Sequence, residues 1–273
     1  CRNVIINNIT VRNPWYSQNG DGLDVDSCED VLVINSSFDV GDDAICIKSG
    51  KNEDGRRRAR PCRNLIVDNC IVFHGHGGFV VGSEMSGGVQ NISVTNCRFL
   101  GTDVGLRFKS CRGRGGVVEN IHIRDIVMMN IPTEPLLFDL HYGGKSAVEA
   151  AADGLPAFDV EYVPADETTP QFKDIYVSDV VCSGAARAMY FNGIPEKNIE
   201  NIVVENCEII ADKGADLRYS TGVVLRNVDI TQAEGMGYSL ANCKNVVIQN
   251  CKDADGQETP SVFQYKSDNV IVE

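Results

Sequence analysis

Apolar and polar positions along the 273-residue chain repeat on one template. It fits "CRNVIINNITV" from residue 1, "CEDVLVINSSF" from 28, "CRNLIVDNCIV" from 62, "VQNISVTNCRF" from 89 and "VENIHIRDIVM" from 118. It fits again at "FKDIYVSDVVC" from 172, "IENIVVENCEI" from 199, "STGVVLRNVDI" from 220 and "CKNVVIQNC" from 243. Apolar residues stand at Val4, Val31, Leu65, Ile92, Ile121, Ile175, Ile202, Val223 and Val246, and again two residues later. That is the period of a strand with one buried face. Four residues after each first apolar position comes Asn or Asp: Asn8, Asn35, Asn69, Asn96, Asp125, Asp179, Asn206, Asn227 and Asn250. These residue types tolerate left-handed backbone and bond to their own neighbours, so every repeat is expected to turn at the same place.

A second strand recurs within the first four repeats: "DGLDVDS" from 21, "DAICIKS" from 43, "GGFVVGS" from 77 and "VGLRFKS" from 104. Short strands at spacings of 21 to 34 residues, with few helical patterns, predict an all-β parallel solenoid with one coil per repeat. Two stretches interrupt the rhythm. "KNEDGRRRARP", 51–61, lengthens its coil, and 143–171, rich in Pro, Gly and acid, reads as a large surface loop with a short helical turn at 146–152. The gap from 121 to 175 holds either two coils or one coil with an insertion. Residues 1–273 read as one domain.

Strand alternation points Leu23, Ile45, Phe79 and Leu106 inward, with Val25, Ile47, Val81 and Phe108. Asp24, Cys46, Val80 and Arg107, then Asp26, Lys48, Gly82 and Lys109, are expected to face solvent. Just before these strands Asp21 shares a register position with Asp43, and Asp42 shares the preceding one with His76. Successive coils rise by about 4.8 Å. Asp21, Asp42, Asp43, His76, Arg107 and Lys109 therefore gather into one patch. A carboxyl crowded by like charges holds a proton near neutrality, as a general acid must, while its neighbours activate water. That is the division of labour of glycoside hydrolysis, and two cations on one strand suit an anionic sugar.

Charge narrows the partners. Lys and Arg total 25 against 38 Asp and Glu, a net charge of −13, which argues against a nucleic-acid partner. No run of 18 apolar residues exists to span a membrane, and no leader pattern is visible. The eleven cysteines form no CxxC pair, and Cys70, Cys97, Cys207 and Cys251 each follow a turn Asn, as small buried thiols would. A calcium site in "DGLDVDSCED" is the alternative reading of Asp24 and Asp26, but the Gly and terminal Glu of an EF-hand loop are absent, and no metal is assigned. Tyr142, in "LHYGG", is placed either on a sugar face or in a packed turn. The arginines of 51–61 form either a solvated loop or one closed end of a cleft, which would make the enzyme exo-acting.

The order "NGDG" (19–22), "GDD" (41–43), "GHG" (75–77) and "RFK" (107–109) resembles the signature of family 28 of the glycoside hydrolases, the polygalacturonases and their rhamnogalacturonan-cleaving relatives. Their pattern runs Asn-Thr-Asp, Gly/Gln-Asp-Asp, Gly-His-Gly, Arg-Ile-Lys. The resemblance implies a single-stranded, right-handed parallel β-helix. It also implies inverting hydrolysis of α-1,4-linked galacturonate in pectin without a cofactor, outside the cytoplasm. On it, Asp42 is the general acid, Asp21 and Asp43 activate water, and His76 tunes the acid. Arg107 and Lys109 hold the galacturonate carboxylate, with Asn19 and Tyr142 also on the substrate. Gly20 replaces the family's Thr, which is expected to loosen the loop holding Asp21, and Phe108 its Ile. The chain opens on a repeat where relatives have a cap and earlier coils, so an N-terminally incomplete chain is expected. Rhamnogalacturonan and xylogalacturonan remain alternative substrates. A pectate lyase or a non-catalytic carbohydrate-binding solenoid are the readings from other classes, and the sequence leaves oligomeric state open.

Overall fold

The computed structural model describes residues 1–154, 156–254, 256 and 259–273. Its coils stack into a single-stranded parallel β-helix. The first-strand apolar residues are paired coil on coil as the template requires: Val4 with Val31, Val31 with Leu65, Leu65 with Ile92, Ile92 with Ile121, Ile121 with Ile175 and Ile175 with Ile202. A further strand, Asp268–Val272, continues the stack beyond the last template match by pairing with Lys244–Gln249. Ile121 pairs directly with Ile175, so the long gap is one coil with an insertion.

The turn residues adopt the left-handed backbone expected of them, with φ from 51° at Asn35 to 58° at Asp125. A second column escaped the template. Asp30, Asn64, Asn91 and Asn120 are also left-handed, and Asn64, Asn91 and Asn120 each donate an amide hydrogen bond to the residue one coil before. Such ladders satisfy side-chain polar groups along the axis and hold adjacent coils in register.

The core lies inside the coils. Leu23, Ile45, Phe79, Leu106 and Leu136 form one inner column, and Val25, Ile47, Val81, Phe108, Phe138 and Phe191 another. Phe108 stacks on Phe138 at 4.6 Å, so the family's Ile position is filled here by a ring within a run of rings. Phe79, Leu106 and Phe108 are fully buried. Cys46, Cys62, Cys70, Cys97, Cys182, Cys207, Cys243 and Cys251 are buried free thiols, while Cys1 is exposed and Cys28 and Cys111 are partly buried.

Both insertions contain helix. Residues 51–61, expected as loop, hold helix α1, Asn52–Arg58. Gly55 lets it lie on the coil: a Cβ there would sit 2.6 Å from the Gly50 carbonyl carbon. The second insertion holds α2, Ala147–Ala152, started by a capping box in which Ser146 and Glu149 exchange hydrogen bonds. Leu155, also within that insertion, lies outside the described residues. Beyond α2 the insertion is pinned to later coils: Arg218 donates to the Pro156 carbonyl at 2.7 Å, and Lys266 meets Asp159 at 2.8 Å.

Candidate active site

Strand Asp43–Lys48 sits between Leu23–Asp26 on one coil and Gly77–Gly82 on the next. The shared register puts Asp21 beside Asp43, where the Gly22 amide donates to the Asp43 carbonyl at 2.9 Å. It also puts Asp42 beside His76, whose Nδ1 lies 3.0 Å from Asp42 Oδ1. That same Oδ1 accepts the Asp43 amide at 2.9 Å. Gly75 makes the close approach of the two coils possible, since a Cβ there would sit 2.7 Å from the Asp42 carbonyl oxygen.

Gly20 does not loosen its loop, contrary to expectation. Its carbonyl accepts the Asn13 amide at 3.0 Å, and the same amide reaches the Asp21 carbonyl at 2.9 Å. The turn folded over Gly20 explains the missing side chain: a Cβ there would collide with Ser17 Oγ. Asn19 sits at the tip of that turn with left-handed backbone, φ 49°, and lines the cleft.

Arg107 and Lys109, expected on the solvent face, are buried, as are Cys46 and Val80. The 141–146 segment closes over them. Arg107 donates to the Lys145 carbonyl at 3.4 Å, and the Tyr142 ring lies 5.6 Å from its guanidinium and 4.9 Å from the Lys109 ammonium. Both cations pair with Asp43: Arg107 Nη1 reaches Oδ1 at 3.2 Å and Lys109 Nζ reaches Oδ2 at 2.6 Å. Burying Asp43, only 2% exposed, requires that pairing. Alternation along a strand cannot report this, because the cover comes from a loop outside the repeat.

Lys48, also expected on the solvent face, bridges Asp21 at 3.1 Å and Asp24 at 2.8 Å. Asp21, Asp24 and Cys46 bring their ligand atoms within 4.8 Å of one another, whereas Asp26, read above with Asp24 as an alternative calcium ligand, is not in that cluster. The Lys48 ammonium answers the charge of its two carboxylates. Burial pushes the Asp21 carboxyl up to about 6; Lys48 opposes that rise, and Asp24 and Asp43 add to it.

Asp42 departs from the expected raised carboxyl. Burial works to raise it, but the hydrogen bond and charge of His76, with Lys109 behind, hold it below the ordinary carboxylate range. His76 is raised in turn, chiefly by its bond to Asp42 against the opposing effect of burial. The resting proton therefore belongs to the imidazole. Asp103, missed in the motif reading, stands 4.0 Å from His76 Nε2 and is raised by burial. Its signal was present: with Phe79 opposite Leu106, the register carries His76 onto Asp103 one coil on.

The cleft above these groups encloses about 380 Å³. Asp42, His76 and Arg107 form its floor, Trp15, Tyr16 and Asn19 one wall, and Tyr142, Lys145 and Glu149 the other. Trp15 and Tyr16 are 78% and 73% exposed and pack edge to face, an aromatic pair that strand periodicity could not flag. The arginines of 51–61 take no part in this cleft. Arg57 and Arg58 pair with Asp54, and Arg56 donates to the Gly113 carbonyl at 2.7 Å. His74, exposed, pairs with Asp39 at 2.8 Å.

The sequence model of a family described as glycosyl hydrolases family 28 matches residues 1–185. The chain belongs to that family. It is 28% identical over 198 residues to an exo-poly-alpha-D-galacturonosidase of Dickeya chrysanthemi, an alignment covering 71% of this chain and 31% of that protein. The crystal structure of a hyperthermoactive exopolygalacturonase from Thermotoga maritima superposes with a TM-score of 0.72 at 30% identity, covering 86% of this chain and 49% of that one. A family 28 exopolygalacturonase from Yersinia enterocolitica superposes at 0.75 with 22% identity, over 90% of this chain and 42% of the other, a likeness of fold. The chain thus spans about half the length of these solved structures and less of the curated relative. The stretch matched to family 28 contains every acidic, imidazole and cationic group of the cleft floor.

Proposed function

We propose that this protein hydrolyses the α-1,4 linkages of polygalacturonate from a chain end, outside the cytoplasm, with inversion at the anomeric carbon. The observation that carries the reading is geometric: the stacking of neighbouring coils gathers Asp21, Asp42 and Asp43, with His76 at 3.0 Å from Asp42 and with Arg107 and Lys109 at 3.2 and 2.6 Å from Asp43. In the free protein the proton affinities of Asp21 and Asp42 run against their base and acid roles, Asp21 raised by burial and Asp42 lowered by His76, so Asp42 has to take up its proton when substrate binds.

Asp42 meets the leaving oxygen. Its Oδ1 is engaged by His76 and the Asp43 amide, which leaves Oδ2 to face the glycosidic bond. A substrate in the cleft excludes water and brings a further carboxylate, and both effects draw the proton from His76 onto Asp42. The C–O bond breaks as that proton reaches the leaving oxygen. A water attacks the anomeric carbon from the opposite face, and its proton passes to Asp21. Asp43, locked by Arg107 and Lys109, orients the water. Arg107 lines the cleft and offers its guanidinium edge to the galacturonate carboxylate, while Lys109 acts on Asp43. Asn19, Tyr142 and the exposed Trp15 and Tyr16 rings contact the sugar. Chain-end action rests on the exo-acting names of two relatives, since the arginines of 51–61 lie outside the cleft.

Polygalacturonate digestion in EDTA, with wild type beside Asp42→Asn, tests this. Monomer release without unsaturated product, and a rate 10²- to 10⁴-fold or so lower in the variant, are expected. Unsaturated ends, or chelator-sensitive activity, would mean a lyase. A folded, inactive wild type would point to another galacturonate-containing polymer.

A further inference from the structure

Asp21 has more negative neighbours than positive ones. The carboxylates of Asp24, on its own coil, and Asp43, on the next, both act on it, and the neutral Cys46 thiol lies beside it. The cations three coils on, Arg107 and Lys109, are bonded to Asp43. His76 is bonded to Asp42. Among the described residues, the cation bonded to Asp21 is Lys48.

The route of that side chain is informative. Lys48 pairs in register with Asp26, the carboxylate nearest along the ladder. Its ammonium passes that residue and reaches back to Asp24 and Asp21 instead. Asp26 is occupied otherwise, accepting from Ser27 Oγ at 2.7 Å and the Gly50 amide at 3.1 Å. The Lys48 side chain is 18% exposed and that of Asp21 14%, so water screens the contact little, whereas Asp24 at 44% anchors the ammonium from the solvent side.

We propose that Lys48 is a positioning residue for Asp21: it fixes the direction of the carboxylate and keeps it ionised, and so able to accept a proton, while the cleft is closed by substrate. The inference rests on Asp21 receiving the proton of the attacking water. Loss of the ammonium leaves a largely buried carboxylate facing Asp24 and Asp43, and such a group takes up a proton at higher pH. Asp21 would then be neutral where the enzyme must work.

The test is a carbon-13 NMR titration of protein labelled at the aspartate carboxyls, with the Asp21 signal assigned by its loss in Asp21→Asn. In Lys48→Met the Asp21 midpoint is expected to rise by about one to two pH units. Lys48→Arg should return it close to wild type, and Lys48→Gln, which keeps a donor without charge, should behave as Met does. The acid limb of kcat/KM on polygalacturonate should move the same way, which a merely structural role would not cause. An unmoved midpoint in folded Lys48→Met or Lys48→Gln overturns the proposal. A shifted midpoint in a protein whose wild type hydrolyses no polygalacturonate would support the positioning and remove polygalacturonate as the substrate, so the two fail separately.

Discussion

At the scale of the residue, the site depends on who is paired with whom. Asp43 is buried and tied to two cations, Asp42 shares a proton with His76, and Asp21 has half of one lysine. The consequence for stability can be worked out for Asp21, whose carboxyl moves from 3.8 to about 6 on folding. The folded state binds this proton more tightly than the unfolded state, so the favourable contribution is complete below about pH 4 and is lost as pH rises through 6. Asp21→Asn should therefore stabilise the fold above pH 6, on the order of 1–3 kcal/mol, with the gain vanishing below pH 4, while hydrolysis falls. Urea denaturation across that range measures it, and a gain independent of pH would contradict the assignment. The motifs named Asp21, Asp42, Asp43 and His76 because adjacent coils stack in register. They could not name the pairings: Arg107, Lys109 and Lys48 looked exposed until a loop and a neighbouring coil were seen to cover them.

At the scale of the element, the repeat was legible because one physical need recurs in every coil. A strand must bury alternate residues and then turn sharply, and Asn or Asp is the side chain that can do so with left-handed backbone. The second Asn column was hidden from the template because it lies inside strands that read as continuous. Asn91 shows what it contributes. Its φ is 58°, it donates to Asn64 at 3.1 Å, and it accepts from Asn120 at 2.7 Å. Asn91→Ala should lose about 2–4 kcal/mol in urea unfolding, from backbone strain and two ladder bonds together. Asn91→Gly should recover the backbone part. Equal losses would mean that the strain term is absent. The helices divide similarly: α2 was foreseen over 146–152, where its structure shows a Ser146–Glu149 capping box, whereas α1 lacks any side-chain cap and carries Gly55 in its middle.

At the scale of the whole molecule, stability in a solenoid is a sum of coils and of interfaces between neighbours. The rings of Phe108, Phe138 and Phe191 run through three successive coils, the first on the strand that presents Arg107 and Lys109. Phe138→Ala should cost about 3–5 kcal/mol in urea unfolding and should lower the affinity for substrate by letting that strand shift. A loss under about 1 kcal/mol would mean that the rings do not couple the coils. The second insertion adds a tie that no repeat pattern could announce, running from the Tyr142 wall to Lys266. The central claim for the molecule is that acid and water-activating carboxylates sit on neighbouring coils and act from opposite faces of the sugar. The most direct test is proton NMR of the first product released from a galacturonate oligomer, read before mutarotation. The account predicts the β-anomer. The α-anomer appearing first would mean retention through a covalent intermediate, and would contradict it.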